Sequence, residues 1–172
     1  LGMEDQVLEQ MSALHRRWDG AGEGRVRVAI SPVGLPACSR ALMEQSAALA
    51  RELDAPLHTH CSEEKAATAE SWDRFGMSEV RALEEFGVLG DRTTLAHCVW
   101  VDDDDIATIA RHGALVAHCP STNMKITDGI APIEALRIAG AKLGLGTDGA
   151  ASSGSYDILQ EMRLAGMLAK VA

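Results

Sequence analysis

Five short apolar runs, at residues 26–30, 57–61, 93–98, 114–118 and 142–146, recur along the chain, most of them separated by segments of helical spacing. Runs rich in Val, Ile, Leu and Thr read as strands, and apolar residues three and four apart read as helices. Strands that alternate with helices lie side by side in a parallel sheet, because each helix carries the chain back to the starting edge. This order, preceded by a helix over residues 4–18, predicts an α/β fold in a single domain. The helices carry their own signals. Ser39 caps one that runs to residue 53, and Ser78 caps one that stops at Gly87. Asp102 to Asp105 stand at the start of a helix over 106–112, where their charge suits the helix dipole. Pro132 and Gly140 bracket the next, and residues 157–171 form the last. Residues 64–76 show no clear period, and 120–129 read as a loop. Five strands fall short of the eight that close a (β/α)8 barrel. The units therefore fit either an open doubly wound sheet or the later part of such a barrel.

Composition narrows the function classes. With 172 residues, 47% of them hydrophobic, the chain can bury a sizeable core. A formal charge of −9 argues against a nucleic-acid surface, which needs clustered Lys and Arg. No apolar run approaches the ~20 residues of a membrane span. Residues 1–5 show neither a basic nor an apolar leader segment, so a cytoplasmic address is expected. The four cysteines form no C-x-x-C pair, which removes the zinc-ribbon reading. Three of them follow a histidine, at His60-Cys61, His97-Cys98 and His118-Cys119. On strands this puts the histidines on one face and the thiols on the other, where cysteine serves as a small buried hydrophobe.

Chemistry gathers at the strand ends. In the run Leu57-His58-Thr59-His60-Cys61-Ser62-Glu63, side chains two apart share a face, so His58 and His60 point the same way and Glu63 falls just past the strand. His97, His118 and Asp148 stand at or beyond the ends of later strands. Parallel α/β folds build their sites at that edge. Taken singly, each such histidine is an ordinary core residue and Asp148 an ordinary turn residue. Together they match metal-assisted hydrolysis, which needs ligands for an ion and a carrier for the proton of its water. His60 and Asp148 are the expected ligands. Glu63 is the expected proton shuttle, Asp148 also the acceptor of the water's proton, and His97 the group that orients that water or stabilises charge on the substrate.

Five ordered blocks carry a family resemblance: His-Thr-His-Cys-Ser-Glu (58–63), Leu-Ala-His-Cys-Val (95–99), Ala-His-Cys-Pro-Ser-Thr-Asn-Met-Lys (117–125), Gly-Ile-Ala-Pro (129–132) and Gly-Leu-Gly-Thr-Asp-Gly-Ala-Ala-Ser (144–152). The chain resembles the amidohydrolase superfamily, within its aminohydrolase branch of adenosine-derivative, guanine and pterin deaminases and triazine hydrolases. That resemblance implies strands four to eight of a metal-dependent TIM-type barrel, with residues 1–172 as one catalytic-domain fragment and the first barrel strands absent. It carries over His60 and Asp148 as metal ligands, and Glu63, His97 and Asp148 as catalytic residues. His118 and Asn123 match the loop after strand seven, which shapes the pocket, so Glu63, His118, Asn123 and Asp148 form the substrate-binding set. His58 receives no role.

The activity implied is hydrolytic deamination of an amino-substituted nitrogen heterocycle, a purine, pterin or related ring, with release of ammonia. Removal of another leaving group, as in the triazine hydrolases, is the runner-up, and a non-catalytic α/β domain is the alternative from another class. One divalent ion is implied, zinc first, with iron and manganese sharing such ligands. A small heterocycle is the expected partner, with no nucleic acid and no membrane, and a homo-oligomer is compatible. Two departures stand out. The family's first-strand H-x-H ligands have no place here, because His58 and His60 belong to strand five. Val33 occupies the position of a substrate-binding histidine in the adenosine-derivative deaminases.

Overall fold

A computed structural model describes residues 2–171. Helix α1 (Met3–Trp18) lays Val7, Leu8 and Met11 against the core. The short α2 (Ala21–Gly24) is distorted by left-handed Gly22 and Glu23, at φ 60 and 61. Residues 26–30, expected as a strand, form a ladder only at Ile30. The Ile30 amide donates to the Pro56 carbonyl and the His58 amide to the Ile30 carbonyl, both at 2.9 Å. The reason lies in the competing acceptors. The Val26 amide bonds the Ala21 carbonyl at 3.1 Å, and the Val28 amide bonds the Asp19 carboxylate at 2.9 Å. A strand whose donors are taken by a preceding turn cannot extend its ladder.

Helix α3 (Arg40–Glu52) begins as expected, with the Ser39 hydroxyl accepting from the Leu42 amide at 3.0 Å. Strand β1 (Leu57–Cys61) follows, then α4 (Lys65–Phe75) in the stretch where the sequence showed no period, and α5 (Glu79–Glu85), capped by Ser78. Strand β2 (Thr93–His97) leads to α6 (Asp103–His112). A capping box between Asp102 and Asp105 opens that helix. Strand β3 (Leu115–His118) leads to α7 (Pro120–Lys125), a helical turn where a loop was expected, and to α8 (Ile133–Ile138). Strand β4 (Lys142–Leu145), α9 (Ala150–Ser153) and α10 (Ile158–Leu168) complete the described residues.

The strands pair in parallel in the order β1-β2-β3-β4. Register aligns Cys61 with His97, Ala96 with Ala117 and His118 with Leu145. One face of the sheet is covered: Leu57, Leu95 and Val116 meet Met43, Val80, Leu83, Ile109 and Leu136 from the helices, all buried. Each such aliphatic side chain contributes about 1.5–3 kcal/mol on leaving water. On β1 the alternation is the expected one, with Leu57, Thr59 and Cys61 buried and His58 and His60 half-buried on the opposite face. All four cysteines are buried free thiols. Among the described residues, no helix is long and apolar enough to cross a membrane.

Candidate metal centre

Strands β1 and β2 end in left-handed backbone. Ser62 has φ 49, His97 has φ 74 and Cys98 has φ 49, a region that costs a non-glycine residue on the order of 1–3 kcal/mol. Hydrogen bonds offset that cost. The Ser62 carbonyl accepts from the amides of Val99 and Trp100, both at 2.9 Å. The Cys98 amide reaches across to the Cys61 carbonyl at 3.0 Å and back to the Ala96 carbonyl at 3.1 Å, which closes a three-residue turn centred on His97.

This turn places the histidine. Register puts His97 level with Cys61, on the helix-facing side of the sheet, where simple alternation would leave it. The turn swings the ring to the other face, where it stacks on His60 with centroids 5.4 Å apart and planes 15° from parallel. Cys98 turns the opposite way, into the core beside Cys61. Hydrogen bonding from Cys98 and then burial hold the Cys61 thiol well above its ordinary pKa. The separation of histidines from thiols is thus met at these two positions through the turn.

Each imidazole is held from behind. His60 Nδ1 lies 2.5 Å from the Val33 carbonyl, which also accepts the His60 amide at 3.0 Å. A carbonyl only accepts, so Nδ1 carries the hydrogen and Nε2 keeps its lone pair. Gly34, at φ 155, packs closely here: a β-carbon at that position would lie 3.4 Å from the His60 β-carbon and carbonyl. Arg74 ties the same loop to α4, donating to the carbonyls of Leu35 at 2.7 Å and Cys38 at 3.1 Å. His97, 1% exposed, directs Nδ1 at Asn123 Oδ1 at 2.9 Å. With the Asn123 oxygen assigned to that contact, His97 Nε2 also carries a lone pair, and it faces Glu63 Oε1 at 3.3 Å.

His60, Glu63 and His97 therefore bring three ligand atoms within 4.8 Å of one another. Two lone-pair nitrogens and a carboxylate gathered this closely repel unless a proton or a cation lies among them. The donor set of imidazole and carboxylate suits zinc, iron or manganese. Acceptors behind both imidazoles are the support that metal-binding histidines use. The residues present fit a divalent ion.

The other expected residues lie elsewhere. Asp148, at φ 57, stands past the end of β4 and accepts from the Gly149 amide at 2.5 Å. It is not part of the group formed by His60, Glu63 and His97. His118 shares the helix-facing side with Val116 and lines a cleft of about 210 Å³ with Ile130, Ala131, Ile133, Ala165 and Leu168. Burial there lowers it to about 4, and its Nδ1 has no partner. Asn123 is 1% exposed and meets the site through His97. His58 sits edge-on to His60 at 6.4 Å, and burial, then the neighbouring His60 and His97, lowers its pKa. The Val33 carbonyl went unforeseen, since a backbone acceptor leaves no mark in a sequence.

Known proteins resemble the chain over nearly its whole length. The chain is 40% identical over 164 residues to a 5'-deoxyadenosine deaminase of Methanothermobacter thermautotrophicus, covering 95% of this chain and 38% of that protein. It superposes on a zinc-bound adenosine deaminase from Xanthomonas campestris with a TM-score of 0.91 at 30% identity, over 97% of this chain and 38% of that one. A zinc complex of atrazine chlorohydrolase from Arthrobacter aurescens TC1 gives 0.90 at 32% identity, over 96% and 37%. The chain thus spans about two fifths of the length of the proteins it matches. Because the amidohydrolase family profile is met from residue 2 to residue 172, the chain belongs to that family, and its parallel sheet is part of a TIM-type barrel.

Proposed function

We propose that the protein is a metal-dependent hydrolase that deaminates an amino-substituted nitrogen heterocycle, with an adenosine-type purine as first candidate. The observation that carries this reading is the group His60, Glu63 and His97, whose imidazoles are each fixed by an acceptor behind them and whose free nitrogens converge on one carboxylate. His60 and Asp148 would hold the ion, joined by ligands from residues outside 1–172, which is read as one catalytic-domain segment. A bound divalent ion, zinc before iron or manganese, would supply positive charge that makes a water acidic near neutral pH and polarises the ring.

The chain's own groups then move protons. Asp148 accepts one from the attacking water. Glu63 carries one water proton to the ring nitrogen and then the second, relayed from Asp148, to the departing amine, so that ammonia leaves neutral and both carboxylates return to their starting state. His97, held by Asn123, orients the water. Asn123 and His118 shape the pocket indirectly, Asn123 through His97 and His118 by packing under α8 and α10. Val33 leaves the place of a substrate-binding histidine to an aliphatic side chain that is 52% exposed. The 40% identity to a 5'-deoxyadenosine deaminase nevertheless supports the adenosine-type substrate.

A second reading, hydrolysis of a non-amine leaving group from a triazine, is supported by the likeness to the atrazine chlorohydrolase. Ammonia release from 5'-deoxyadenosine, adenosine, guanine, a pterin and an amino-triazine by the full-length protein decides between them. Glu63→Gln should keep the metal and lose at least about a hundredfold in kcat. A variant that keeps the full rate, or a protein without stoichiometric metal, overturns the proposal and favours a non-catalytic domain.

A further inference from the structure

Helix α7, which carries Asn123, starts without a cap of its own. Cys119, at φ −119 and ψ 69, makes no side-chain bond to it, and Pro120, its first residue, has no amide to donate. The first free amide is that of Ser121, a residue buried with Pro120, Thr122 and Asn123. A buried N–H left unmet there would cost about as much as a lost hydrogen bond. The partner comes from α10. Glu161, at 0% exposure, accepts the Ser121 amide on Oε2 at 2.9 Å. Its neighbour Gln160 donates from Nε2 to the Ser121 hydroxyl at 3.3 Å. The other Glu161 oxygen, Oε1, is buried with no partner. A methionine would fill the same space without desolvating a carboxyl group, so packing alone does not account for a glutamate here.

What Glu161 holds is the start of α7. Helix α10 is itself anchored: the Asp157 carboxylate accepts from the amides of Leu159 at 3.0 Å and Gln160 at 3.2 Å. The far end of α7 is tied by Lys125, whose ammonium donates to the Ala151 carbonyl at 3.2 Å. Asn123 lies between these two ties, and its Oδ1 holds His97 Nδ1 at 2.9 Å. Such a bond tolerates a change of only a few tenths of an ångström, so a shift of α7 would break it. We propose that Glu161 is a positioning residue for His97: by capping α7 through the Ser121 amide it sets the place of Asn123, and Asn123 sets the ring. The inference rests on His97 being the water-orienting group of the proposed deaminase.

Glu161→Gln keeps an oxygen acceptor on a side chain of the same length, and Glu161→Met keeps the length without the acceptor. Glu161→Ala repeats the loss without crowding the site. In the full-length zinc-loaded protein, Met and Ala should lower kcat for ammonia release about tenfold, with KM and zinc content near wild type. Gln should stay within about threefold of wild type. Combination with Asn123→Leu separates positioning from mere support. If Glu161 acts through Asn123, the Glu161→Met/Asn123→Leu double variant is no slower, within about twofold, than Asn123→Leu alone, whereas a merely structural role gives losses that multiply. Independently of turnover, solvent exchange of the Ser121 amide and of the His97 Nδ1 hydrogen should each accelerate at least about tenfold in Met and Ala and stay protected in Gln. A Gln variant as impaired as Met, losses that multiply, or unchanged exchange of the His97 hydrogen in Met and Ala overturns the role. A wild type that releases no ammonia from any heterocycle sinks the deaminase reading alone, and the His97 exchange then decides the positioning.

Discussion

Replacing Glu79 with glutamine should tilt the protein's stability against pH in one direction, and replacing His118 with glutamine should tilt it in the other. Burial lowers His118 from 6.5 to about 4, with Glu161 opposing the shift and His97 adding to it. Between those values the unfolded chain holds the proton and the folded chain does not. Its stabilisation is thus complete above 6.5 and is lost as pH falls toward 4. Burial raises Glu79 from 4.5 to about 7. Here the folded chain holds the proton and the unfolded chain does not, so stabilisation is complete below 4.5 and is lost as pH rises toward 7. Each gap spans about 2.5 units, 6.5 minus 4 and 7 minus 4.5. At about 1.4 kcal/mol per unit, that is roughly 3 kcal/mol for each group. Both residues are nearly inaccessible, at 2% and 3% exposure, so solvent screening removes little of this.

In the shared window from pH 4.5 to 6.5 the two slopes oppose each other in the wild type. Relative to wild type, Glu79→Gln should gain roughly 1.4 kcal/mol per pH unit as pH rises, and His118→Gln should lose about as much. Urea unfolding of the metal-free protein across that window, treated with a chelator, measures both. Differences that stay constant with pH would show that neither group titrates differently on folding and would refute the reasoning. Displacement of a whole curve by packing changes does not affect the test, because only the slopes are compared.

Asn123→Leu removes the acceptor from His97 Nδ1, a buried bond of 2.9 Å. Leaving that donor unmet costs about 1–3 kcal/mol, which is roughly 5- to 150-fold in kcat/KM when it falls on the transition state. Steady-state ammonia release checks it, and a loss under about twofold refutes the orienting role. Arg74→Ala frees the carbonyls of Leu35 and Cys38, and with them the loop that carries Val33. Metal affinity against a competing chelator should drop about tenfold, and unchanged affinity would show that the loop holds His60 without Arg74.

Local signals were legible where a side chain acts on its own neighbours. Ser39, Ser78 and Asp102 cap helices as expected, because a cap is completed within one turn of the same chain. Helix α4 went unread because Ser71 is its one buried residue, which leaves little apolar periodicity to detect. Residues 26–30 read as a strand on their alternation and β-branched composition. Composition carries no record that Asp19 captures the Val28 amide.

The site was legible in part: His60, Glu63 and His97 come together at the strand ends, whereas Asp148 and His118 stand apart from them. Period-two alternation correctly joined His58 and His60 on one face, since both lie within β1. The alternation rule did not put His118 with the other histidines as expected, since register sets it on the helix-facing side with Val116, opposite His60. Applied to His97, it fails, because the turn at φ 74 reverses the facing of the last strand residue, and only that reversal lets His97 stack on His60. A non-glycine residue with positive φ is unpredictable from the sequence, yet it decides which strand-end histidine reaches the centre. Val33 shows the converse. The residue supports His60 with its carbonyl while its side chain remains half exposed. The departure from histidine at this position therefore leaves the support of His60 intact and changes only the side chain that the loop presents.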